Sequence, residues 1–128
     1  DLYFLRKIVR PGGLVVCAAE CVDGWPDHGS YREVLTSADS PQELFDLISA
    51  REQTVPDQWQ VQIQAQVQTR ARVLVKTSGL SDRELRAAHF ESIDDVGAAV
   101  ARALAAAGPQ ATLCVLPQGP QTIPYVAA

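Results

Sequence analysis

Three short apolar runs along the chain have the pattern of buried β-strands. Each is rich in aliphatic and β-branched residues and is bounded by glycine, proline or polar residues, as strands covered on both faces of a sheet tend to be. The runs cover residues 14–19, 72–77 and 112–117. Because long segments with helical signals separate them, the strands are expected to pair in parallel through right-handed crossovers.

Capping signals predict where several helices begin. Four serines are followed three residues later by an acidic residue, which is the pattern of a capping box. These pairs are Ser30/Glu33, Ser40/Glu43, Ser81/Glu84 and Ser92/Asp95. Further helices are predicted within residues 2–9, from residues 56–57 onwards, and over residues 93–107, where Gly108 and Pro109 form a stop signal.

Two of these helices show an apolar stripe at a spacing of four residues, which predicts the face that each one buries. The stripes are Trp59, Ile63 and Val67 in one helix, and Val96, Val100 and Leu104 in the other. The remaining face of the first helix is expected to be glutamine-rich. Together the elements predict an α/β fold, a three-layer Rossmann-like sandwich with a small, mainly parallel sheet, as a single domain over residues 1–128.

Composition excludes several classes of function. The chain has 128 residues, of which 47% are hydrophobic and 20% charged, as in ordinary globular domains. Its net charge of −4, without a basic stripe, argues against nucleic-acid binding. No apolar stretch reaches the roughly 18 residues of a membrane-spanning helix, and no signal peptide is visible, so a cytoplasmic location is expected. The sequence contains no methionine, and we expect it to be one part of a longer protein.

The cysteines give no sign of a disulfide framework. Cys17, Cys21 and Cys114 cannot all pair with one another. Cys17 and Cys114 lie inside apolar runs, where cysteine usually behaves as a small buried hydrophobic residue. Both are therefore expected in the core.

Ligands of open parallel sheets bind beyond the carboxyl ends of the strands, which indicates three loops here: residues 20–30, 78–80 and 118–121. The first loop contains Cys21, Asp23 and His28, which could ligate a metal. Their spacing fits no zinc pattern, and Cys21 with His28 lacks the third partner of a nucleophilic pair. The alternative is a loop whose polar groups cap its own backbone and the next helix. Neither a metal site nor a catalytic residue is predicted in this chain.

Trp59 is the strongest single candidate for a functional residue. By pattern alone, an aromatic residue at the head of an apolar stripe is usually part of the core. Gln58 would then be a solvated residue of the first turn, and Asp57 would cap the helix. The residues by themselves define no catalytic constellation.

A resemblance to a known family adds a functional interpretation of these residues. Residues 56–59 (PDQW), followed by Gln62 and Ile63, resemble a segment of the nickel-dependent lactate racemase family. Residues 10–16 (RPGGLVV) and 19–24 (AECVDG) are similar to the strand and loop of that family, and residues 117–119 (PQG) to its closing turn. The order and spacing agree from about Val9 onwards, so the resemblance covers nearly the whole chain.

The resemblance implies that this chain is the C-terminal domain of a two-domain racemase or epimerase acting on 2-hydroxy acids, with its active site in the cleft between the domains. The cofactor would be a nickel pincer nucleotide, held mainly by a lysine of the N-terminal domain, which also supplies two histidines as acid and base. A hydride moves reversibly between the substrate and the cofactor. The partners would be that N-terminal domain and the small acid, and this piece alone would be inactive.

The resemblance also assigns pocket residues. Trp59 matches a tryptophan that lines the pocket of the family. Tyr3 and Lys7 match the separation of a Tyr-Gln-x-x-Lys motif, whose lysine and glutamine contact the substrate's polar groups, although Phe4 replaces the glutamine. The alternative function is a stand-alone α/β module that binds a nucleotide or small ligand without catalysis.

Overall fold

The fold consists of six helices and three strands in the part of the chain that the computed structural model describes, residues 2–26 and 29–126. In chain order these elements are α1 (Leu2–Leu5), β1 (Gly13–Ala18), α2 (Tyr31–Leu35), α3 (Pro41–Ser49), α4 (Gln58–Gln68), β2 (Ala71–Lys76), α5 (Asp82–Ala87), β3 (Glu91–Ser92) and α6 (Val96–Ala107), followed by a 3-10 turn, Gly119–Gln121. None of the described helices is long and apolar enough to cross a membrane.

The sheet is parallel, in the order β1-β2-β3. Val15 of β1 lies beside Val73 of β2, and Leu74 of β2 lies beside Glu91 of β3. The first two predicted strands are confirmed to within one residue at each end. They form because their apolar residues are covered by helices on the faces of the sheet.

The third predicted strand is wrong. Residues 112–117 form no strand, and the short β3 takes the third place in the sheet. Leu113 and Val115 are 59% and 69% exposed. A strand needs a neighbour to satisfy its backbone groups, and no described segment pairs with this one, whatever its β-propensity.

Side chains of β2 alternate between two covered faces, which gives the predicted three layers. Val73 and Val75 pack in one cluster with Val67 of α4 and Leu85 of α5. On the opposite face Leu74 is also buried, and α6 contacts the neighbouring strand β1. The α/β sandwich with a small parallel sheet is thereby confirmed.

A second apolar cluster joins the helices on the α4 side of the sheet. It is formed by residues of α2, α3 and α4 together with Ala88 after α5. Its buried members are Val34, Leu35, Leu44, Ile48, Val61, Ala65 and Ala88. This cluster fixes α4, and therefore Trp59, relative to the loop after β1.

The face that α4 buries only partly matches the predicted stripe, in which Val67 is fully buried and Ile63 half-buried. Val61 and Ala65 are fully buried and Gln58 and Gln64 nearly so, whereas Trp59 is 64% exposed. The six glutamines at alternate positions of α4 do not form one polar face, because steps of two residues advance about 200° around a helix. Some of them must face the core. Glutamine can be buried there when its amide finds partners.

The stripe predicted in α6 is also only partly covered. Val96 and Val100 are half-buried and Leu104 is 37% exposed, while the buried residue of α6, Ala99, lies outside the stripe. The helix begins at Val96, three residues later than predicted, and it ends before Gly108 as predicted.

Two of the four capping predictions hold at least in part. Ser81 and Glu84 form the complete capping box, and the Ser40 side chain accepts a bond from the Glu43 backbone N–H. Ser30 precedes α2 but its side chain makes no capping bond. Ser92 lies in β3 and bonds to Asp82, and α6 is capped by Asp95, whose Oδ1 lies 2.6 Å from the Ala98 N–H nitrogen.

The buried location predicted for two cysteines is wrong, since Cys17 and Cys114 are both exposed. Cys114 lies within residues 112–117, which form no strand. Cys17 lies near the carboxyl end of β1, where the helices no longer cover the strand.

Candidate functional site

Two of the three loops predicted at the ligand edge contact each other, where parallel β1 and β2 end. The Glu20 carbonyl accepts hydrogen bonds from the Gly79 N–H at 2.9 Å and from the Thr77 hydroxyl at 2.8 Å. A Cβ on Gly79 would overlap the Cys21 carbonyl and lie 2.6 Å from the Glu20 oxygen, so this close approach requires glycine. The third loop, around Gly119–Gln121, has no hydrogen bond to these two among the described residues.

Asp57 connects this edge to the start of α4. Its Oδ2 accepts a 3.0 Å hydrogen bond from the Ser30 backbone N–H, at the end of the loop after β1. A Cβ on Gly29 would overlap the same carboxylate. Asp57 is the N-cap residue of α4 in left-handed backbone conformation (φ 63°), but its side chain makes no capping bond. The predicted capping role is therefore wrong, because the carboxylate serves the neighbouring loop.

Gln58 is a structural residue of the same turn. It is 6% exposed, and its Oε1 accepts bonds from Arg51 Nη1 at 3.0 Å and from the Val55 N–H at 3.4 Å. The predicted solvated position is wrong. These bonds close the segment that leads into α4, and so they fix the residue that follows, Trp59.

Trp59 lies on the surface of the first turn of α4. Its 64% exposure excludes the core position that the apolar pattern alone predicts. Val55 and Pro56 beside it in sequence are exposed too, so the aromatic ring lies next to further apolar surface. A turn of two residues, Thr69 and Arg70, joins the end of α4 to the start of β2, so the opposite end of α4, with Trp59, lies towards the carboxyl edge of the sheet. The pocket role of Trp59 stays a prediction.

Lys7 lies elsewhere in the domain. Arg6 Nη1 donates to Gln66 Oε1 at 3.0 Å, and this places the chain after α1 against the last turns of α4. Lys7 is exposed beside a groove of about 430 Å³ that Gln66 and Arg70 also line. Seven to nine residues of helix separate this end of α4 from Trp59, roughly 10–14 Å along the axis. The structure therefore does not bring Lys7 and Trp59 together, and the Tyr3 side chain lies outside the described residues.

The metal ligands and the Cys21–His28 pair considered for the loop after β1 both include His28, which the structure does not describe. Asp27 and His28 lie outside the described residues, and residues 2–26 and 29–126 contain no group of three potential metal ligands. Cys17 precedes this loop, in β1, and partial desolvation raises the pKa of its thiol above the ordinary value.

Sequence reasoning assigned no role to Trp25 or Gln64. The Arg32 guanidinium lies 5.2 Å from the centre of the Trp25 ring, in the first of the predicted loops. Gln64 accepts a 2.6 Å bond from the Tyr31 hydroxyl and donates to the Ala88 carbonyl at 2.9 Å. The glutamine pattern of α4 contains no signal that distinguishes the buried Gln64 from the half-buried and exposed glutamines beside it.

Comparison with known proteins identifies relatives over nearly the whole chain. The family model described as lactate racemase C-terminal domain matches residues 6–123. The chain is 30% identical over 116 residues to lactate racemase of Thermoanaerobacterium thermosaccharolyticum and 29% identical over 112 residues to that of Lactiplantibacillus plantarum. These matches cover 89% and 86% of this chain but 27% and 26% of the relatives, so the chain spans about a quarter of their length.

The fold has a close counterpart among solved structures. The structure of the lactate racemase apoprotein from Thermoanaerobacterium thermosaccharolyticum aligns with a TM-score of 0.71 at 23% identity, and the alignment covers 85% of this chain and 27% of that one. This likeness shows that the two share the fold.

Proposed function

The chain belongs to the lactate racemase C-terminal domain family, and from this premise we propose that it serves as the C-terminal domain of a racemase or epimerase for 2-hydroxy acids. The N-terminal domain of the same protein would supply the acid and base and hold the cofactor. The domain alone would have no racemase activity. The observation that carries the proposal is the exposed Trp59 in the segment that resembles the family's pocket.

The described residues fit a nickel pincer nucleotide as one wall of its site. They include no cluster of three potential metal ligands, but they offer the exposed indole of Trp59 at the carboxyl edge of the sheet. When bound, the cofactor would exchange a hydride with the α-carbon of the substrate. Trp59 would pack against it and exclude water, which protects a hydride from being quenched.

Exposed apolar side chains beyond α6 support the presence of a partner domain. Leu113, Val115, Ile123 and Tyr125 are between 59% and 82% exposed. Several large apolar residues exposed along one segment are typical of surfaces that another protein surface covers. We propose the N-terminal domain as that cover.

Tyr3 and Lys7 form a separate part of the proposal. The family resemblance places both beside the substrate, while Lys7 lies near the opposite end of α4 from Trp59. Contact of Lys7 with the same substrate would require α1 to occupy another position when the N-terminal domain is present. A Lys7→Ala variant that raises KM for the hydroxy acid would support this, and an unchanged KM would remove Lys7 from the site.

The experiment that tests Trp59 uses the protein in which this domain is joined to its N-terminal domain and loaded with the nickel cofactor. Trp59→Ala should lower kcat/KM for racemisation about tenfold or more, a loss of roughly 1.4 kcal/mol of transition-state stabilisation. Trp59→Phe, which keeps an aromatic ring, should lose less. The control is Gln60→Ala, at the exposed neighbouring position.

Two results would contradict the proposal. One is a loss below about threefold in Trp59→Ala, since a well-placed contact contributes more than that. The other is racemisation by the chain without its N-terminal domain. Because Trp59 is exposed, the variant should fold normally, and thermal unfolding checks this.

A further inference from the structure

A second groove lies between the loop after β1, α2 and α5. Its volume is about 470 Å³, which is within the range of small-molecule sites. The side chains that line it are mainly polar or aromatic: Trp25, Arg32, Thr36, Ser81, Arg83 and Glu84. The proposed function assigns no role to any of them.

Two arginines give the groove its charge. Arg32 is held over the Trp25 ring by a cation–π contact, with 5.2 Å between guanidinium and ring centre. The one ion pair among the described residues joins Arg72 and Glu91, so neither Arg32 nor Arg83 forms an ion pair with a described carboxylate. Both guanidiniums keep their donors available.

Among the described residues, one carboxylate lines the groove, and it is engaged in a helix cap. Glu84 Oε2 accepts bonds from the Ser81 N–H at 2.8 Å and from the Ser81 hydroxyl at 2.7 Å. These bonds, together with the nearby positive charge of Arg32, lower the pKa of Glu84. Glu84 is therefore ionised at neutral pH and bonded to Ser81, and the described lining residues, with two arginines and one carboxylate, carry a net positive charge in a chain of net charge −4.

Trp25 contributes an apolar surface and an unused donor. Its indole Nε1 is buried without a hydrogen-bond partner among the described residues. Buried donors of this kind normally find an acceptor on the protein, in water or in a ligand.

We infer that this groove binds a small oxyanion, with Arg32 and Arg83 supplying the charge and the Trp25 ring the apolar wall. The planar guanidinium matches the paired oxygens of carboxylates and phosphates. The inference goes beyond the proposed function, because it concerns residues of α2 and α5 and does not involve Trp59. Carboxylate and phosphate share this chemistry, and the experiment separates them.

The two tryptophans of the chain provide the readout. The ¹⁵N-labelled protein is titrated at pH 7 with sodium phosphate and with sodium lactate, against sodium chloride at matched ionic strength. The indole N–H signals of Trp25 and Trp59 are assigned with Trp25→Phe and Trp59→Phe. The expected result is a saturable shift of the Trp25 signal with at least one oxyanion, while the Trp59 signal stays unchanged. Which anion saturates identifies the ligand as phosphate-bearing or carboxylate-bearing.

Charge variants complete the test. Arg32→Gln and Arg83→Gln should each weaken binding about fivefold or more, since each removes a charge-assisted contact. The control is Arg102→Gln, at an exposed position of α6, which should leave the binding affinity unchanged. Shifts equal to those in chloride, or equal affinity in Arg83→Gln, would overturn the inference. Trp59→Ala should not change the affinity of the groove for the anion. A negative result for the racemase proposal and a negative result for anion binding can therefore be told apart.

Discussion

The backbone N–H of Ser30 donates a 3.0 Å hydrogen bond to the carboxylate of Asp57 across 27 residues of sequence. This contact joins two segments that carry the family resemblance at separate places in the sequence. They are the loop after β1 and the segment that contains Trp59. The edge of the sheet and the first turn of α4 are therefore one structural unit. A change in either segment should be transmitted to the other.

Loss of this contact should destabilise the domain. Asp57→Ala removes the acceptor, and alanine tolerates a positive φ less well than aspartate does. This variant should lower the free energy of unfolding by about 2–3 kcal/mol. Asp57→Asn keeps an oxygen acceptor and tolerates the left-handed conformation, and should lose less than about 1 kcal/mol. Urea unfolding measures both. The exposed Asp94→Ala serves as control, and a loss in Asp57→Ala no larger than in this control would contradict the role of the contact.

The buried amide of Gln64 should contribute more than any exposed glutamine of α4. Gln64→Ala leaves the Tyr31 hydroxyl without its acceptor and opens a small cavity, so we expect a loss of about 2–3 kcal/mol in unfolding free energy. Tyr31→Phe should lose about 1 kcal/mol, since only one bond disappears. Gln60→Ala should stay within about 0.5 kcal/mol at its exposed position. Equal stability of the Gln64 and Gln60 variants would show that the buried amide does not contribute to the free energy of unfolding.

Local signals predicted the parts of this fold that depend on nearby residues. Strands β1 and β2 form from their own β-branched runs once helices cover the sheet. The capping box of Ser81 and Glu84 needs only its local sequence. The order of loops at the sheet edge follows from parallel pairing, which is why the contact between Glu20 and Gly79 lies where it was expected.

The errors concern features that depend on distant partners. Residues 112–117 carry the pattern of a strand, but pattern alone cannot supply the neighbouring strand that they lack. A spacing of four aligns Trp59 with Ile63, yet Val61 and Ala65 meet the helices α2 and α3, and this contact decides which face is buried. The candidate functional residues were reached through resemblance, because an exposed tryptophan has no local signature.

The Arg72–Glu91 pair should make stability depend on pH in the acidic range. The hydrogen bonds from Arg72 lower the pKa of Glu91 below its ordinary value of 4.5. A carboxylate with a depressed folded-state pKa contributes stability above its unfolded pKa, and this contribution is lost as pH falls through the folded value. Because both side chains are about half exposed or more, the effect should stay below about 1 kcal/mol.

Urea unfolding between pH 7 and pH 3 tests this directly. Glu91→Gln should be slightly less stable than the parent at pH 7, and the difference should vanish towards pH 3. Glu52→Gln, at an exposed position without an ion pair, is the matched control. A difference that persists unchanged at pH 3 would show that the Glu91 carboxylate contributes by packing, without regard to its charge.

Gly79 gives the sharpest test of how the candidate site is built. Its Cβ position is occupied by backbone atoms of Glu20 and Cys21, which cannot move aside as the end of a flexible side chain can. Gly79→Ala should therefore separate the two loops and lower the unfolding free energy by about 1–3 kcal/mol. Gly119→Ala is the control, because nothing lies within 4 Å of a Cβ there and the backbone needs no positive φ. Amide hydrogen exchange should show faster exchange at the Gly79 N–H position and in residues 20–24 of the Gly79 variant only. If both variants unfold at the same denaturant concentration, the close contact between the loops does not hold this edge together.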